Sequence, residues 1–448
     1  MKLLLTHAYF LYEDAKELQI MRPYAPLGIL YLSSHLRAKG FEVEIYDSTF
    51  GSRDELSRIL HNDAPAILGI YANLMTRGRA VEIIGEAKAA GWRVIVGGPE
   101  PSNYAGEYLR AGADVVVRGE GEIAVEALMA SGFDRSAWPG IEGIVYLEES
   151  GETVRTGPAR HIANLDAQPW PDRQRIDIPR YMQTWRDYHG RSSISLITAR
   201  GCPYRCNWCS HSVYGHTHRR RSASAAAAEV EWLRDRYNPD MLWIADDVFT
   251  IHHGWLFEYA AELKQRGIRI PFECITRADR MNERVAATLA ELGCMRVWIG
   301  SESGSQRILD AMQRGVTIEQ VQLAVELSKA NGIETGMFLM WGYDGEEIAD
   351  IEATVEHVRS CRPDKFLTTV SYPIKGTPYF EKLAGRLVNI GPWQTTTDRA
   401  FQIRGRHSRR FYGFADELLR REMAEVPDAA AIVAARRGLA ETYAETEA

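Results

Sequence analysis

Ser193 to Gly215 reads SISLITARGCPYRCNWCSHSVYG. Its first third is a short apolar run with strand character, and the rest sets Cys202, Cys206 and Cys209 into one loop. No fourth cysteine follows at ligand spacing. A structural zinc site needs four closed ligands, and His211 stands close enough in sequence to complete a Cys₃His set. Zinc knuckles are small autonomous units, however, whereas these thiols come directly after a strand in the middle of a long chain. Three thiolates leave one iron of a four-iron cluster without a protein ligand, and an open iron can take a small molecule and pass it an electron. What the loop does therefore depends on the fold to which its strand belongs.

Downstream of the loop, MLWIADDVF, PFECITR, RVWIGSES, ETGMFLMWG and KFLTTVSYP read as further strands separated by helical spacing. Six β/α units over residues 192–375 predict a partial barrel, with its site at the carboxyl ends of the strands. Ser222 or Ser224 is expected to cap the helix in SASAAAAEVEWLRDRYN, with Val230, Leu233 and Tyr237 on its apolar stripe. Upstream, KLLLTHAY, FEVEIYD, AILGIYA, RVIVGGPE and DVVVRGEGE alternate with helical stretches over residues 1–130. Such a pattern predicts a Rossmann-like parallel sheet covered on both faces, so the chain is α/β throughout. The carboxyl edge of that sheet would carry Thr6, His7, Asp47, Ser48, Tyr71, Asn73 and Leu74, then Gly97, Gly98 and Pro99, then Gly119 and Glu120. Residues 131–191 read as a linker containing the hairpin GIVYLEESGETVRTG, and residues 376–448 as a small C-terminal region that shapes a substrate pocket. The chain's end is expected to fray.

Composition narrows the function. The 448 residues are 45% hydrophobic and 25% charged, with a net charge of −7, which gives no global reason to expect nucleic acid. The apolar start breaks at His7, too short for a signal peptide, and no later stretch reads as a membrane span, so a cytoplasmic setting is expected. Six cysteines are too few for a disulfide framework in a chain of this size, and Cys274, Cys294 and Cys361 read as buried apolar side chains. His216, His218 and Arg219 to Arg221 read as an exposed basic loop, with steering of an anionic substrate or an electron donor as the sharper alternative. Five arginines between 399 and 410, without an acid, are either a solvated face or a contact for an anionic group on a substrate.

The spacing C-x3-C-x2-C, with Trp208 before the last cysteine and the loop after the first strand of a six-unit barrel, resembles the radical S-adenosylmethionine enzymes. That resemblance implies a [4Fe-4S] cluster on Cys202, Cys206 and Cys209 whose open iron chelates S-adenosylmethionine, and a 5′-deoxyadenosyl radical formed by reductive cleavage. It further implies that Asp246 or Asp247 holds the methionine amino group, and that Glu273, Arg277, Ser301, Glu302 and Ser303 supply donors and acceptors to the ribose. The segment around Gly342 would lie near the adenine, although Tyr343-Asp344 stands where relatives usually carry a proline.

PYAPLGILYLSSHLRAKGFEVEIYD, VGGPEPS and ADVVVRGEGE resemble the cobalamin-binding domain of cobalamin-dependent members, and the likeness extends over about residues 1 to 375. The arrangement is similar to the group with the anaerobic magnesium-protoporphyrin monomethyl ester cyclase and the carbon methyltransferases. It implies cobalamin at the edge residues named above, Tyr71 and Asn73 foremost. No Asp-x-His-x-x-Gly is present, so no histidine of that domain is expected to ligate cobalt. The alternative for the domain is a nucleotide-type or vestigial sheet. The resemblance implies a small-molecule substrate, anionic if the arginine run contacts it, and an electron donor such as flavodoxin or ferredoxin. Three functional readings remain open at this point: methylation of an unactivated carbon through methylcobalamin, radical oxidative cyclisation, and a non-catalytic cobalamin- or zinc-binding sensor.

Overall fold

The structure, a computed structural model, describes residues 2–447. Its first sheet contains β1 (Lys2–His7), β2 (Glu42–Tyr46), β3 (Ile67–Tyr71), β4 (Arg93–Gly97), β5 (Val115–Val117), β6 (Ile144–Leu147) and β7 (Thr153–Arg155), in the order β2-β1-β3-β4-β5-β6-β7. The first five strands are parallel and the last two antiparallel. The hairpin in the connecting stretch is thus not a free linker element; it extends this sheet, because β5 would otherwise present an unpaired apolar edge. Leu4, Leu68 and Ile70 pack on one face of the sheet and Leu3, Leu5 and Ile67 on the other, so both faces are covered, as the unbroken apolar runs require. The chain leaves β1 toward β2 on one side and reaches β3 on the other, so a crevice opens at the carboxyl ends of β1 and β3.

The second sheet starts with β8 (Ser193–Leu196). A two-residue pair, β9 (Ala199–Arg200) with β10 (Arg219–Arg220), then closes the base of the cysteine loop. Next come β11 (Met241–Ile244), β12 (Phe272–Thr276), β13 (Cys294–Glu302), β14 (Glu334–Trp341) and β15 (Lys365–Val370). The six long strands are parallel and neighbours in sequence are neighbours in space, the order of an open six-unit barrel. Ile194, Leu196, Leu242, Ile244, Val297 and Ile299 face the covering helices. Alternate positions carry Glu273, Trp298 and Phe338, which meet on the other face: Trp298 stacks on Phe338 at 5.1 Å and its indole N–H donates to Glu273 at 2.8 Å. Ser222, not Ser224, caps the helix Ala223–Tyr237, accepting from the Ala225 amide at 3.2 Å. Cys274, Cys294 and Cys361 are buried.

The C-terminal region differs from expectation at its end. Glu447 does not fray: it is buried, and its carboxylate takes the Ile403 amide at 2.6 Å and Arg406 at 2.8 Å. Four arginines of the run, Arg399, Arg404, Arg409 and Arg410, are exposed, as on a solvated face, with Arg410 on Glu445, Arg409 on the Arg399 carbonyl and Arg399 over the Tyr372 ring; Arg406 is buried on Glu447.

Candidate active site

The cysteine loop is built on Asp246, at the end of β11. Its buried carboxylate accepts the Thr198 amide at 2.6 Å, the Ala199 amide at 3.0 Å and the Arg220 guanidinium at 3.0 Å, so it fixes the chain where β8 turns into the loop. The three consecutive arginines after the loop are not an exposed basic face. Arg219 pairs with Glu120, Arg220 with Asp246 and Arg221 with Glu229, all three acids being buried. Gly201 takes a φ of +85°, and a Cβ there would lie 2.4 Å from the Thr217 carbonyl oxygen, so the step into the loop admits only glycine.

Asn207 holds the middle of the loop. Its side-chain N–H donates to the Ala311 carbonyl at 2.9 Å, its amide to the Met312 carbonyl at 3.1 Å, and its side-chain oxygen accepts from the Tyr343 hydroxyl at 2.8 Å. Tyr343, the residue that departs from the expected pattern, is therefore a prop for the cysteine loop, stacked in turn on Tyr379 at 4.6 Å. Trp208 packs against the apolar group that includes Met312, Met340 and Tyr343.

Cys206 is buried, Cys202 half-buried and Cys209 open to the cleft. The recess around Cys209 pushes its thiol up to about 12, first through desolvation and then through the negative charge of the other cysteines, Asp247 and Glu302. Cys202 is raised for the same leading reason, with Asp247 next among the groups that oppose its thiolate. Asp247, unlike its neighbour, is exposed, with its charge felt by Cys202 and Cys209, and local desolvation together with the charge of Asp246 raises it. Glu302 closes the ring. A bulge between Gly300 and Glu302 in β13 and a left-handed φ of 62° swing its carboxyl toward Arg314, at 3.8 Å, and burial raises it too. Cys206 and Asp247 oppose the thiolates of both Cys202 and Cys209, with Cys202 and Glu302 added at Cys209, so the anionic form of the site needs cationic charge. Among the described residues, no three His, Cys, Asp or Glu side chains gather tightly enough to close on a single metal ion. Three thiols on one loop, with no fourth cysteine beside them, are the donor set of a cluster that keeps one iron open.

Several residues expected at the nucleotide face elsewhere. Glu273 is the second residue of β12, and its carboxylate is taken by Arg296 at 2.6 Å and by Trp298, away from the strand's carboxyl end. Ser301 and Ser303 point to the covering helix Ile348–Cys361, where they meet His357 and Thr354 at 3.2 Å each, because alternation along β13 gives the cleft side to Glu302. Arg277 lies beneath Cys206 and not on the open cleft: its guanidinium N–H is 3.7 Å from the sulfur. Gly342 has a φ of +72° and no room for a Cβ, which would stand 2.9 Å from Tyr412. Its amide donates to Glu346, whose carboxyl burial pushes up to about 8.

At the first sheet, Tyr71, Gly97, Gly98, Pro99, Gly119 and Glu120 come together in one apolar slot of about 300 Å³. Gly98 is required there, since a Cβ would sit 2.2 Å from the Ala72 carbonyl oxygen. The wall that closes the slot comes from the barrel: Ile197 and Arg200 before the cysteines, and Val213 and Tyr214 after them. Arg200 donates to Glu120 at 3.1 Å and to Glu122 at 2.7 Å, and Ser212 donates to the Pro99 carbonyl at 2.6 Å. A second cavity of about 310 Å³ is lined by His7, Tyr24, Tyr71 and Asn73. Thr6, Asp47 and Ser48 are not open donors at this edge. Asp47 takes His7 at 2.9 Å and the Tyr181 hydroxyl at 2.8 Å, Ser48 donates to the Tyr9 carbonyl, and Thr6 is fully buried. Leu74 is half-buried in its turn and lines neither cavity. Arg314, Asn207 and Arg200 were not singled out from the sequence; each sits in a loop or a two-residue strand with no periodicity to mark it.

Residues 196–358 match the Radical SAM superfamily, and residues 20–129 match the B12 binding domain. An uncharacterized methyltransferase of Pyrococcus horikoshii is 29% identical over 393 residues, 85% of this chain and 83% of that protein. The anaerobic magnesium-protoporphyrin IX monomethyl ester cyclase of Rubrivivax gelatinosus is 25% identical, over 82% of this chain and 68% of its own. In fold, the radical S-adenosylmethionine methyltransferase TsrM of Kitasatospora setae, solved with cobalamin and a [4Fe-4S] cluster, superposes with a TM-score of 0.73 at 22% identity, over 88% of this chain and 82% of that one. Among the described residues, no helix is long and apolar enough to cross a membrane. With a B12-binding match on the first sheet and a radical match on the second, joined at one slot, the chain belongs to the cobalamin-binding radical S-adenosylmethionine enzymes.

Proposed function

We propose that the protein transfers a methyl group to a carbon of a small-molecule substrate lying between its two domains. The observation that carries this reading is the shared slot: the loop bearing the cysteines supplies one wall of the cavity at the edge of the first sheet. A ligand seated there lies beside the cysteine site, the arrangement a two-cofactor transfer needs. When bound, the cluster with S-adenosylmethionine supplies a 5′-deoxyadenosyl radical, and cobalamin supplies the methyl group.

The chain's own residues have the following roles in this reading. Cys202, Cys206 and Cys209 hold the cluster. Asp247 faces the methionine ammonium, an opposite charge that returns its raised carboxyl to the ionised form. Glu302, turned into the cleft by the bulge, accepts from the ribose hydroxyls. Tyr71, Gly97, Gly98, Pro99, Gly119 and Glu120 form the cobalamin wall, with Asn73 at its rim. Asp246, Arg200 and the three arginines Arg219 to Arg221 keep the loop in place while ligands exchange.

The test is anaerobic incubation of the reconstituted protein with hydroxocobalamin, a low-potential reductant and S-adenosylmethionine labelled in its methyl group. Label on the cobalamin retained after desalting supports methyl transfer. Formation of 5′-deoxyadenosine with the label recovered only in methionine and unreacted S-adenosylmethionine, and none on cobalamin, would overturn it in favour of oxidative chemistry of the cyclase kind.

A further inference from the structure

Arg277 ends β12, where a contact with bound nucleotide is expected, yet its side chain is 2% exposed and has no free face. Its Nε–H donates to Asp279 at 2.9 Å, and one Nη donates to the Arg314 carbonyl at 2.9 Å. The guanidinium lies over the Tyr204 ring, 3.6 Å from its centroid. Its remaining Nη aims at the Cys206 sulfur, 3.7 Å away. Arg314 donates to the same sulfur at 3.6 Å while its other Nη holds the Gly300 carbonyl at 2.9 Å. Two buried guanidinium groups therefore converge on one cysteine of the three. Cys209 faces the opposite environment, beside Asp247 and Glu302.

We propose that Arg277 is a positioning residue for electron transfer: held rigid by Tyr204, Asp279 and the Arg314 carbonyl, it donates to the Cys206 sulfur and raises the reduction potential of the cluster. Reduction adds one electron, taken from the external reductant, to a group already bearing thiolate charge. An N–H donor and a fixed positive charge at a ligating sulfur favour the reduced form. The effect is strong because Cys206 and both guanidinium groups are buried. Arginine suits the task because a planar group can stack on Tyr204 and still direct separate N–H groups at a carboxylate, a carbonyl and a sulfur; an ammonium cannot. The proposal rests on the cluster assignment and not on which group reaches the substrate.

Potentiometric titration of the anaerobically reconstituted full-length protein, followed by electron paramagnetic resonance of the reduced cluster, tests it. Arg277→Gln is expected to shift the reduction equilibrium at least tenfold toward the oxidised cluster, a midpoint about 59 mV more negative for one electron. Arg277→Lys keeps the charge without the geometry and is expected to shift it less, in the same direction. Arg280→Gln, at 5.7 Å from the same ring and paired with the same Asp279, is expected to leave it unchanged. A wild-type midpoint in Arg277→Gln at full iron content would overturn the proposal, as would an equal shift in Arg280→Gln. Loss of cluster uptake in both Arg277 variants with cobalamin still retained would also overturn it, since Arg277 would then be needed for assembly and not for tuning. A wild-type protein that takes up no cluster would fail the underlying assignment instead.

Discussion

Asp246 and Asp247 leave the end of β11 in opposite directions, and the difference decides what each can do. Asp246 is enclosed by two backbone amides, the Thr198 hydroxyl and a guanidinium, so Asp246→Ala strands a buried cation and three donors. The expected loss is about 3 to 5 kcal/mol of stability, read by urea unfolding. Asp247 has none of these partners, and Asp247→Asn is expected to change stability by no more than about 0.5 kcal/mol while weakening S-adenosylmethionine binding at least about tenfold, read by equilibrium dialysis. A second residue gives a pH signature. His357 is buried against Ser301, and burial pushes it down to about 4. The unfolded chain takes up this proton below about 6.5, whereas the folded one refuses it until about 4. The unfolded state thus binds more protons in that window, and this contribution to stability, complete above it, falls with pH by about 3 kcal/mol in all. His357→Gln is expected to remove that slope, so the stability gap between variant and wild type should narrow or reverse from pH 7 to pH 5.

At the scale of elements, the cysteine loop is stiff because other elements hold it. Asn207 ties it to the end of the helix Gln306–Ala311 and, through Tyr343, to the turn after β14. Tyr343→Phe keeps the stack on Tyr379 and removes only the hydroxyl, which leaves the Asn207 oxygen short of a partner. The expected cost is about 1 kcal/mol in thermal unfolding, with faster loss of iron to a chelator than in the wild type. The strands themselves were legible in the sequence because parallel strands covered on both faces are unbroken apolar runs, and the cysteines because their spacing is chemically narrow. Side-chain direction at strand ends was not. Ser301 and Glu302 are adjacent and both polar, and which of them reaches the cleft was fixed by a bulge that leaves no mark in composition. Arg277 stands at the expected strand end with other neighbours than a nucleotide, because Tyr204 and Arg314, which turn it toward Cys206, come from loops far away in sequence.

For the whole molecule, the question is what keeps two separately built sheets in register. One junction is at the cleft, where Arg200 crosses from the barrel to Glu120 and Glu122. The other is a clasp from the C-terminal region. Asp398 takes Arg77 at 2.8 Å, the Tyr104 hydroxyl at 2.6 Å and the Lys375 amide at 3.0 Å, while Arg77 also pairs with Glu100 at 2.6 Å. All three charged side chains of the Arg77, Glu100 and Asp398 group are buried, and Trp393 packs edge-on to Tyr108 beside them. Glu100 directly follows Pro99 at the wall of the slot, so the clasp fixes the rim against which cobalamin would seat. Removing one member of such a group costs more than the pair contributes, because the remaining charge stays buried. Asp398→Ala is therefore expected to lose about 3 to 5 kcal/mol, and the loss should appear first as separation of the domains. The calorimetric transition is expected to split in two. Cobalamin retention after desalting should fall while iron content stays at the wild-type level, because Asp246, Asn207 and Arg220 still hold the cysteine loop within the barrel once the Arg200 and Arg219 pairs with the first sheet are lost. A single shifted transition with cobalamin still retained would mean that the Arg200 junction suffices, and would leave the C-terminal clasp without a part in forming the slot.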